Sequence, residues 1–289
     1  MGGLPIHAKP SVVLSRHDAS AFASMHTPDP VTDEPIRFNA ALDVAAAARA
    51  FTERGRVHIA DALEPLSAAR LYACLLADVP WRLTYNEGEK NILLDAAAIE
   101  DLGERRLHAV LTAVLSRAQE QFQYLFRCYP MVSTYVEGRD PELFLHNAFE
   151  WLNDARTLAV LRTITGVETV IKANAQATLY RPGHFLTRHD DSGYAEQHRR
   201  VAYVLYLTHG WRADWGGQLQ FLDDRGDVEE VWMPRFNSLG LFLVPTPHVV
   251  TYVSPFAKQP RFAITGWLCD GPTESAAQST SGCEDGADA

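Results

Sequence analysis

The chain has few cysteines and no long hydrophobic run, and both shortages exclude classes of protein. Its four cysteines are spread over 289 residues and form no Cys-x-x-Cys pair, so we expect neither a zinc ribbon nor a disulfide framework. No stretch of about 18 apolar residues occurs, so we expect no membrane span. The first residues lack a basic start followed by an apolar core, so we expect no secretory signal. The location that these absences predict is the cytoplasm.

Positive charge is also in short supply. There are 26 Lys and Arg residues against 36 Asp and Glu residues, which gives a formal net charge of -10. A chain of this balance lacks the electrostatic field that attracts phosphate backbones, so we expect no nucleic-acid partner. Hydrophobic residues make up 47% and charged residues 21% of the chain, which is typical of a folded domain. The composition does not define an oligomeric state.

The chain changes character along its length, and we predict three regions. Residues 1–36 mix Pro, Asp, Ser and Thr without apolar periodicity and are predicted to form a flexible arm. Residues 37–270 are predicted to form one domain, with mainly helical support over 37–168 and a β-rich core over 169–270. Residues 271–289 are small, polar and acidic, so we expect a disordered tail.

The helical part is predicted from apolar residues at three- and four-residue spacing. Asn39 is a candidate N-cap for a first helix that Gly55 would end. Pro65 is placed to open a second helix, because its missing N–H group has no partner in a first helical turn. A longer helix is predicted to contain the apolar positions from Leu107 to Leu125.

From Val170 the apolar period changes to two, which is typical of strands. Helices gathered before several β-rich segments indicate an α+β fold, with an antiparallel sandwich or barrel backed by helices. One face of residues 170–180 is polar but has no solvent-edge charge pattern, so it could line an internal pocket. That face consists of Lys172, Asn174, Gln176, Thr178 and Tyr180. Further strands are predicted at 200–208, 218–222, 238–244, 248–253 and 260–268.

The residues that could carry chemistry begin with one His-x-Asp triplet, His189-Asp190-Asp191. On an extended segment, residues i and i+2 project to the same side, so His189 and Asp191 could share a metal while Asp190 points away. Downstream, His248 opens the segment HVVTYV. Two imidazoles and one carboxylate occupy one face of an iron octahedron and leave three positions open, as in non-haem Fe(II) oxygenases.

The open positions of such a site can take a bidentate 2-oxo acid and then dioxygen, and the far carboxylate of the acid then needs a cation. Arg261 begins the segment RFAITGWL, where it shares a strand face with Thr265. A guanidinium binds a carboxylate through two parallel hydrogen bonds. Arg261 is therefore the candidate cation, with the Thr265 hydroxyl beside it.

In this order the motifs resemble the Fe(II)/2-oxoglutarate-dependent oxygenases, in particular the prolyl-4-hydroxylase-like branch. The resemblance runs from about Ala175 to Leu268 and is carried by YRPGHFLTRHDD, YVLYLT, WGGQLQFLD, PHVV and RFAITGW. It implies a double-stranded β-helix, or jelly roll, with helices packed on one sheet.

The resemblance also implies an iron site and a 2-oxoglutarate site. Lys258 lies 10 residues after His248 and matches a lysine that another prolyl-hydroxylase branch uses, whereas Arg261 lies 13 residues after it. Arg261 is preferred, because the residues that follow it reproduce the strand around the family arginine. The implied iron ligands, which form the catalytic centre, are His189, Asp191 and His248, and the implied 2-oxoglutarate contacts are Arg261, Thr265, Tyr206 and Tyr180.

The implied activity is hydroxylation of an unactivated C–H bond, with 2-oxoglutarate and O2 consumed and succinate and CO2 released. Ascorbate is a further candidate cofactor. The branch favours a prolyl residue of a protein or peptide as the substrate. Two alternatives stay open: hydroxylation of a free amino acid or small metabolite, and a non-catalytic sensor module that binds metal and 2-oxoglutarate.

Overall fold

The computed structural model describes residues 34–192 and 198–270. The predicted arm over residues 1–36 lies mostly outside the described residues, and the predicted tail over 271–289 lies entirely outside them. The division into regions therefore stays a prediction. No described helix is both long and apolar enough to cross a bilayer.

Six α-helices occur in the described residues, and local sequence signals explain several of their ends. The carboxylate of Asp43 accepts a hydrogen bond from the Ala46 amide at 2.8 Å and caps the first helix, which ends at Gly55 in the left-handed conformation. Pro65 is the first residue of the second helix. The helices are α1 (Val44–Arg54), α2 (Pro65–Ala77), α3 (Ala96–Arg117), α4 (Met131–Val136), α5 (Leu145–Asn153) and α6 (Ala155–Thr165).

Two of the predicted helix limits are wrong. The first helix is not capped by Asn39, whose side chain instead accepts a hydrogen bond from the Ala41 amide at 2.9 Å in the turn before the helix. The long helix ends at Arg117 and does not reach Leu125, which lies in a strand. A break at Gly103, where φ is 68°, also interrupts it.

The structure describes thirteen strands, joined into one antiparallel sheet. Those that the sequence analysis did not predict are the first four, the seventh and the tenth. The strands are β1 (Arg56–Ile59), β2 (Arg82–Glu87), β3 (Lys90–Leu94), β4 (Tyr124–Tyr129), β5 (Lys172–Ala173), β6 (Gln176–Tyr180), β7 (Phe185–His189), β8 (Arg199–Tyr206), β9 (Leu219–Leu222), β10 (Val228–Trp232), β11 (Ser238–Leu243), β12 (His248–Val250) and β13 (Arg261–Cys269).

The sheet nearly closes on itself. Its strand order is β1-β11-β8-β13-β6-β4-β7-β12-β9-β10, while β2 extends from β4, β3 pairs with β2, and β5 pairs with β13. The two ends of this path meet, because Arg56 on β1 forms an ion pair with Glu230 on β10 at 2.6 Å. Closure of this kind removes most free strand edges and leaves an interior that side chains can line.

The central strands are buried on both faces, which explains their nearly continuous apolar sequence. On β8 and β13, alternate side chains enter two different clusters of the core. The inward cluster fills the barrel and includes Val204, Tyr206, Ala263 and Trp267. The outward cluster packs under the helices and includes Val201, Leu205, Phe262 and Ile264. This architecture confirms the predicted α+β class with a double-stranded β-helix core and helical backing.

Candidate metal centre

Three buried side chains with metal-binding groups converge at one end of the barrel. His189 is the last residue of β7, and His248 is the first residue of β12. The two strands are antiparallel neighbours in which His248 lies directly opposite His189. Asp191 follows His189 by two residues, and one ligand atom from each of the three residues lies within 4.8 Å of the others.

Asp191 reaches this position through a turn, not along an extended strand. Its φ is 62°, in the left-handed region that aspartate tolerates better than most residues. The expected extended His-x-Asp segment is therefore wrong, although the two side chains do converge. Asp190 takes part in the same turn, since its carboxylate accepts hydrogen bonds from the amide and the hydroxyl of Ser192 at 2.9 and 2.6 Å.

The Asp191 carboxylate presents one oxygen to each imidazole. Its Oδ1 lies 3.5 Å from His189 Nε2, and its Oδ2 lies 3.6 Å from His248 Nε2. The ring centroids of the two histidines are 4.0 Å apart. First-row metal ions bind such donors at about 2.1 Å, so two donors of one ion lie at most about 4.2 Å apart. Both carboxylate–imidazole separations lie within this limit, so the carboxylate and either imidazole can share one ion.

Backbone carbonyls orient both imidazoles in the same way. His189 Nδ1 lies 2.9 Å from the Thr187 carbonyl oxygen, and His248 Nδ1 lies 2.7 Å from the Thr246 carbonyl oxygen. A carbonyl can only accept, so each Nδ1 carries a proton and each Nε2 is the ring nitrogen that faces the metal centre. A second hydrogen bond of this kind is the usual companion of a metal-binding histidine. The sequence analysis missed both contacts, because a backbone acceptor has no signature in residue type.

Burial also keeps the His189 ring neutral, so that its unprotonated nitrogen can bind a cation. Loss of solvent, together with the neighbouring His248 ring, lowers the pKa of His189 to about 4. His189 is therefore neutral at neutral pH. Two imidazole nitrogen donors and one carboxylate match the donor set that favours a divalent transition metal. The three residues thus fit the ion that the sequence analysis assigned to them.

A cavity of about 80 Å³ extends from these three residues into the barrel. Gln176, Thr178 and Tyr180 line it, which confirms that the polar face of this strand turns inward, whereas Lys172 and Asn174 do not line it. A larger groove of about 650 Å³ lies elsewhere, on α5 and α6. It contains none of the metal-binding groups, so size alone does not identify the site. The other residues of the metal cavity with polar side-chain atoms are Tyr203, Arg261, Thr265 and Trp267.

Arg261 supplies a buried cation to the same cavity. It is the first residue of β13, lies opposite Tyr180 on β6, and is only 2% exposed. Its guanidinium carbon lies 4.8 Å from the Tyr180 ring centroid and 5.2 Å from that of Tyr206. Its Nε has no hydrogen-bond partner among the described residues. A buried cation with a free donor is costly unless an anion completes it, so this end of the cavity is suited to a carboxylate.

The structure distinguishes the two candidate cations. Lys258 is exposed and does not line the cavity, whereas Arg261 is buried and lines it. Burial raises the pKa of Tyr206 to about 12 and that of Tyr180 further still, although Arg261 works in the opposite direction at both. Both phenols are therefore protonated at neutral pH. Tyr180 lines the cavity, whereas Tyr206 does not line it and meets the site through its contact with Arg261.

Two further residues near the metal centre were not assigned a place in it by the sequence analysis. Trp267 lines the cavity, and its buried indole N–H has no hydrogen-bond partner among the described residues. The guanidinium carbon of Arg199 lies 3.6 Å above the Trp267 ring, and its Nη1 lies 3.5 Å from the Asp191 carbonyl oxygen. Arg199 therefore connects the indole to the turn that carries Asp191.

The fold and the site together define a class: a jelly-roll barrel with a His-Asp-His metal centre and an internal arginine. Residues 175–269, about a third of the chain, match the family model of the 2OG-Fe(II) oxygenase superfamily. This segment contains all three metal-binding residues and Arg261. The match assigns the segment to that superfamily and confirms, at the level of the superfamily, the resemblance found in the sequence.

Solved structures with a similar fold come from several sources. A 2OG-Fe(II) oxygenase family oxidoreductase from Burkholderia pseudomallei is 14% identical with a TM-score of 0.50, and the match covers 81% of this chain and 93% of that chain. A Pseudomonas putida prolyl-4-hydroxylase is 22% identical with a TM-score of 0.49, covering 78% and 98%. The epimerase SnoN of nogalamycin biosynthesis is 13% identical with a TM-score of 0.48, covering 81% and 87%. No curated protein sequence matches this chain.

Proposed function

We propose that this chain is an Fe(II)- and 2-oxoglutarate-dependent dioxygenase that hydroxylates an unactivated C–H bond. The observation that carries the proposal is the presence, in one cavity, of the His-Asp-His donor set and the buried Arg261. A barrel that only needed to be stable would have no use for either, because both place charge where solvent is excluded. In the proposed enzyme, the metal binds at one end of the cavity and the distal carboxylate of 2-oxoglutarate at the other.

Each residue of the metal centre has a defined task in this proposal. His189 and His248 hold Fe(II) through Nε2, and the carbonyls behind them prevent the rings from rotating. Asp191 supplies the negative charge. When bound, Fe(II) with 2-oxoglutarate and O2 supplies the oxidising chemistry, in which the oxo acid loses CO2 and becomes succinate. The three protein donors leave the remaining coordination positions for these ligands.

The opposite end of the cavity orients the co-substrate. Arg261 forms the ion pair with the C5 carboxylate, and the Thr265 hydroxyl lies two positions beyond Ala263 on the same strand face. The Tyr206 and Tyr180 rings both contact the guanidinium and limit its movement. Apolar side chains, among them Phe126 and Leu186, form other walls of the cavity and keep water from the reacting atoms.

The proposed substrate is a prolyl residue of a protein or peptide. The sequence resemblance to the prolyl-4-hydroxylase-like branch supports this choice. The cavity size supports presentation of the substrate at the cavity mouth, because a volume of about 80 Å³ holds only about five to eight water-sized positions. 2-Oxoglutarate alone has roughly ten non-hydrogen atoms, so the cavity does not enclose a second molecule beside it.

The test combines turnover with identification of the product. The full chain is incubated with Fe(II), ascorbate, 2-oxoglutarate and proteins of a cell extract, and peptides are searched for one added oxygen atom on proline. Wild-type protein should form succinate and the modified peptides. Asp191→Ala and His189→Ala should do neither, whereas Asp190→Asn, which alters the adjacent carboxylate outside the donor set, should retain both.

The outcomes separate the proposal from its alternatives. Succinate formation that depends on a free amino acid and leaves proteins unmodified would replace the prolyl substrate with a small molecule. Binding of 2-oxoglutarate without any turnover would favour a sensor module. Full turnover by Asp191→Ala would refute the assignment of the metal centre.

A further inference from the structure

The Arg261 guanidinium belongs to a series of aromatic side chains, each in contact with the next, that extends beyond the cavity. On one side, the Tyr180 ring stacks on Phe126, with ring centroids 5.1 Å apart and planes 13° apart. On the other side, the Tyr206 ring meets the His58 ring edge-on at 5.5 Å. His58 stacks in turn on Trp232 at 5.0 Å with planes 22° apart. We call this set the aromatic column: Trp232, His58, Tyr206, Arg261, Tyr180 and Phe126.

His58 enters this column from a distant part of the chain. It lies on β1, where it is opposite Gly240 of β11. Gly240 in turn lies opposite Val204 on β8, two residues from Tyr206, so His58 and Tyr206 project to the same interior side. His58 does not line the metal cavity. Any effect of His58 on a ligand in that cavity must therefore pass through a neighbour.

The His58 ring is held in one orientation. Its Nε2 lies 2.9 Å from Ser238 Oγ, and that hydroxyl donates to the Arg235 carbonyl at 2.9 Å. Since the hydroxyl hydrogen is used for the carbonyl, Nε2 carries the proton and donates to Ser238 Oγ. Burial, with Arg235 nearby, lowers the pKa of His58 to about 4. The imidazole is thus neutral at neutral pH and places no second cation beside Tyr206.

The packing behind the ring leaves little freedom for movement. A Cβ at Gly240 would lie 2.5 Å from the Trp232 ring, so Trp232 occupies the space that a side chain would need. His58 contacts both that ring and the Tyr206 ring. Tyr206 is fully buried and contacts both the His58 ring and the Arg261 guanidinium. Removing the His58 ring would remove one of the contacts that hold the Tyr206 ring in place.

We propose that His58 is a positioning residue for the distal-carboxylate site: it holds the Tyr206 ring, and through it the Arg261 guanidinium, in the orientation that binds a carboxylate. This inference rests on the proposed function, because it assigns the carboxylate to 2-oxoglutarate. His58 contacts neither the ligand nor the metal centre. Its effect should appear in ligand affinity and depend on the carboxylate.

The expected effect follows from the worth of one ring contact. Edge-to-face ring pairs contribute an amount that corresponds to about a 2- to 10-fold change in a dissociation constant. The full chain is loaded with Mn(II), and binding of 2-oxoglutarate and of pyruvate, which lacks the distal carboxylate, is measured by titration calorimetry. His58→Ala should weaken 2-oxoglutarate binding by about this factor while leaving pyruvate and Mn(II) binding unchanged.

Three further variants separate positioning from general damage. His58→Leu keeps an apolar side chain of similar bulk without a planar ring and should show the same selective weakening. His58→Phe keeps the ring and should restore wild-type affinity. In a Tyr206→Leu background, His58→Ala should cause no further loss, because the two changes act through one contact.

The inference is overturned if both His58→Ala and His58→Leu bind 2-oxoglutarate as tightly as wild type. It is also overturned if they weaken pyruvate or Mn(II) binding as much as 2-oxoglutarate binding, since that pattern means a loosened barrel. Wild-type protein that fails to bind 2-oxoglutarate would refute the proposed function itself, and the inference with it. Unchanged affinity in the variants alongside tight wild-type binding would refute only the inference.

Discussion

Gly217 allows Arg261 to occupy its place, and replacing it with alanine should disturb the site in a predictable way. Its φ is +63°, and a Cβ there would lie 3.1 Å from the Trp211 ring, 3.2 Å from Val253 Cγ2 and 3.3 Å from Arg261 Cδ. All three distances are tighter than ordinary van der Waals contact, so a neighbour would have to move. The Trp211 indole is itself held by a hydrogen bond to the Gly216 carbonyl at 2.8 Å.

The cost of Gly217→Ala has two parts that a control can separate. Placing a non-glycine residue in the left-handed region costs about 1–2 kcal/mol. Crowding a packed core by one carbon costs about 1–3 kcal/mol more. Gly138 has the same φ of +63° but nothing within 4 Å of its Cβ position. Gly138→Ala should therefore lose only the first amount of unfolding free energy, and Gly217→Ala about 2–5 kcal/mol.

Urea unfolding of both variants measures this difference directly. Because the crowding falls on the stem of Arg261, Gly217→Ala should also weaken 2-oxoglutarate binding to the Mn(II)-loaded protein, whereas Gly138→Ala should not. Equal destabilisation by the two substitutions, with unchanged ligand affinity in both, would refute the view that Gly217 is needed to make room for the Arg261 side chain.

Two other features allow predictions of stability. Asn237 accepts a hydrogen bond from the Leu63 amide at 2.9 Å and donates to the Leu63 carbonyl at 2.8 Å. Asn237→Ala should therefore lower the unfolding free energy by about 2–5 kcal/mol, because both buried groups lose their partner; a loss below 1 kcal/mol in urea unfolding would contradict this. Partial burial opposes ionisation of Glu230, but hydrogen bonds from Arg56 and Trp232 outweigh it and lower its pKa. The ion pair thus stabilises the fold above the unfolded-state pKa and is lost as pH falls through the folded value. Unfolding measured from pH 7 to 3 should show a shallower acid decline for Glu230→Gln, and identical slopes would count against it.

The β-rich half of the chain could be predicted from sequence because its signals are local. The alternation over 170–180 identified the inward face of β6, since successive side chains of a strand project to opposite faces. The order of the motifs then indicated the barrel. Lys172 and Asn174 belong to the same alternation but do not reach the cavity, because only a short two-residue strand forms there before β6.

The first half was harder to predict, because β1 and β4 pair with distant segments, and the local hairpin of β2 and β3 was also missed. Leu125 continues the three- and four-residue spacing of the helix before it, yet it lies in β4, which pairs with β2, β6 and β7. A strand buried on both faces has a nearly continuous apolar sequence, and this cannot be distinguished from a helix by periodicity. The pairing that decides the structure comes from segments more than 30 residues away along the chain.

The candidate site also contains some residues that the sequence could identify and others that it could not. Side-chain chemistry was sufficient to select His189, Asp191, His248 and Arg261 as candidates that prove to line one cavity, because few residue types can bind a metal or a carboxylate at all. The groups that orient them carry no such signal: two are backbone carbonyls, and His58 depends on the pairing of β1 with β11, some 180 residues away. Candidate metal-binding and carboxylate-binding residues can therefore be found by residue type, whereas the groups that pack against them appear only with the register of the sheet. We therefore expect substitutions at those neighbouring groups, and at His58 above all, to change the affinity for 2-oxoglutarate. Barrels that share the same metal-binding residues and arginine should differ in this affinity when those neighbours differ.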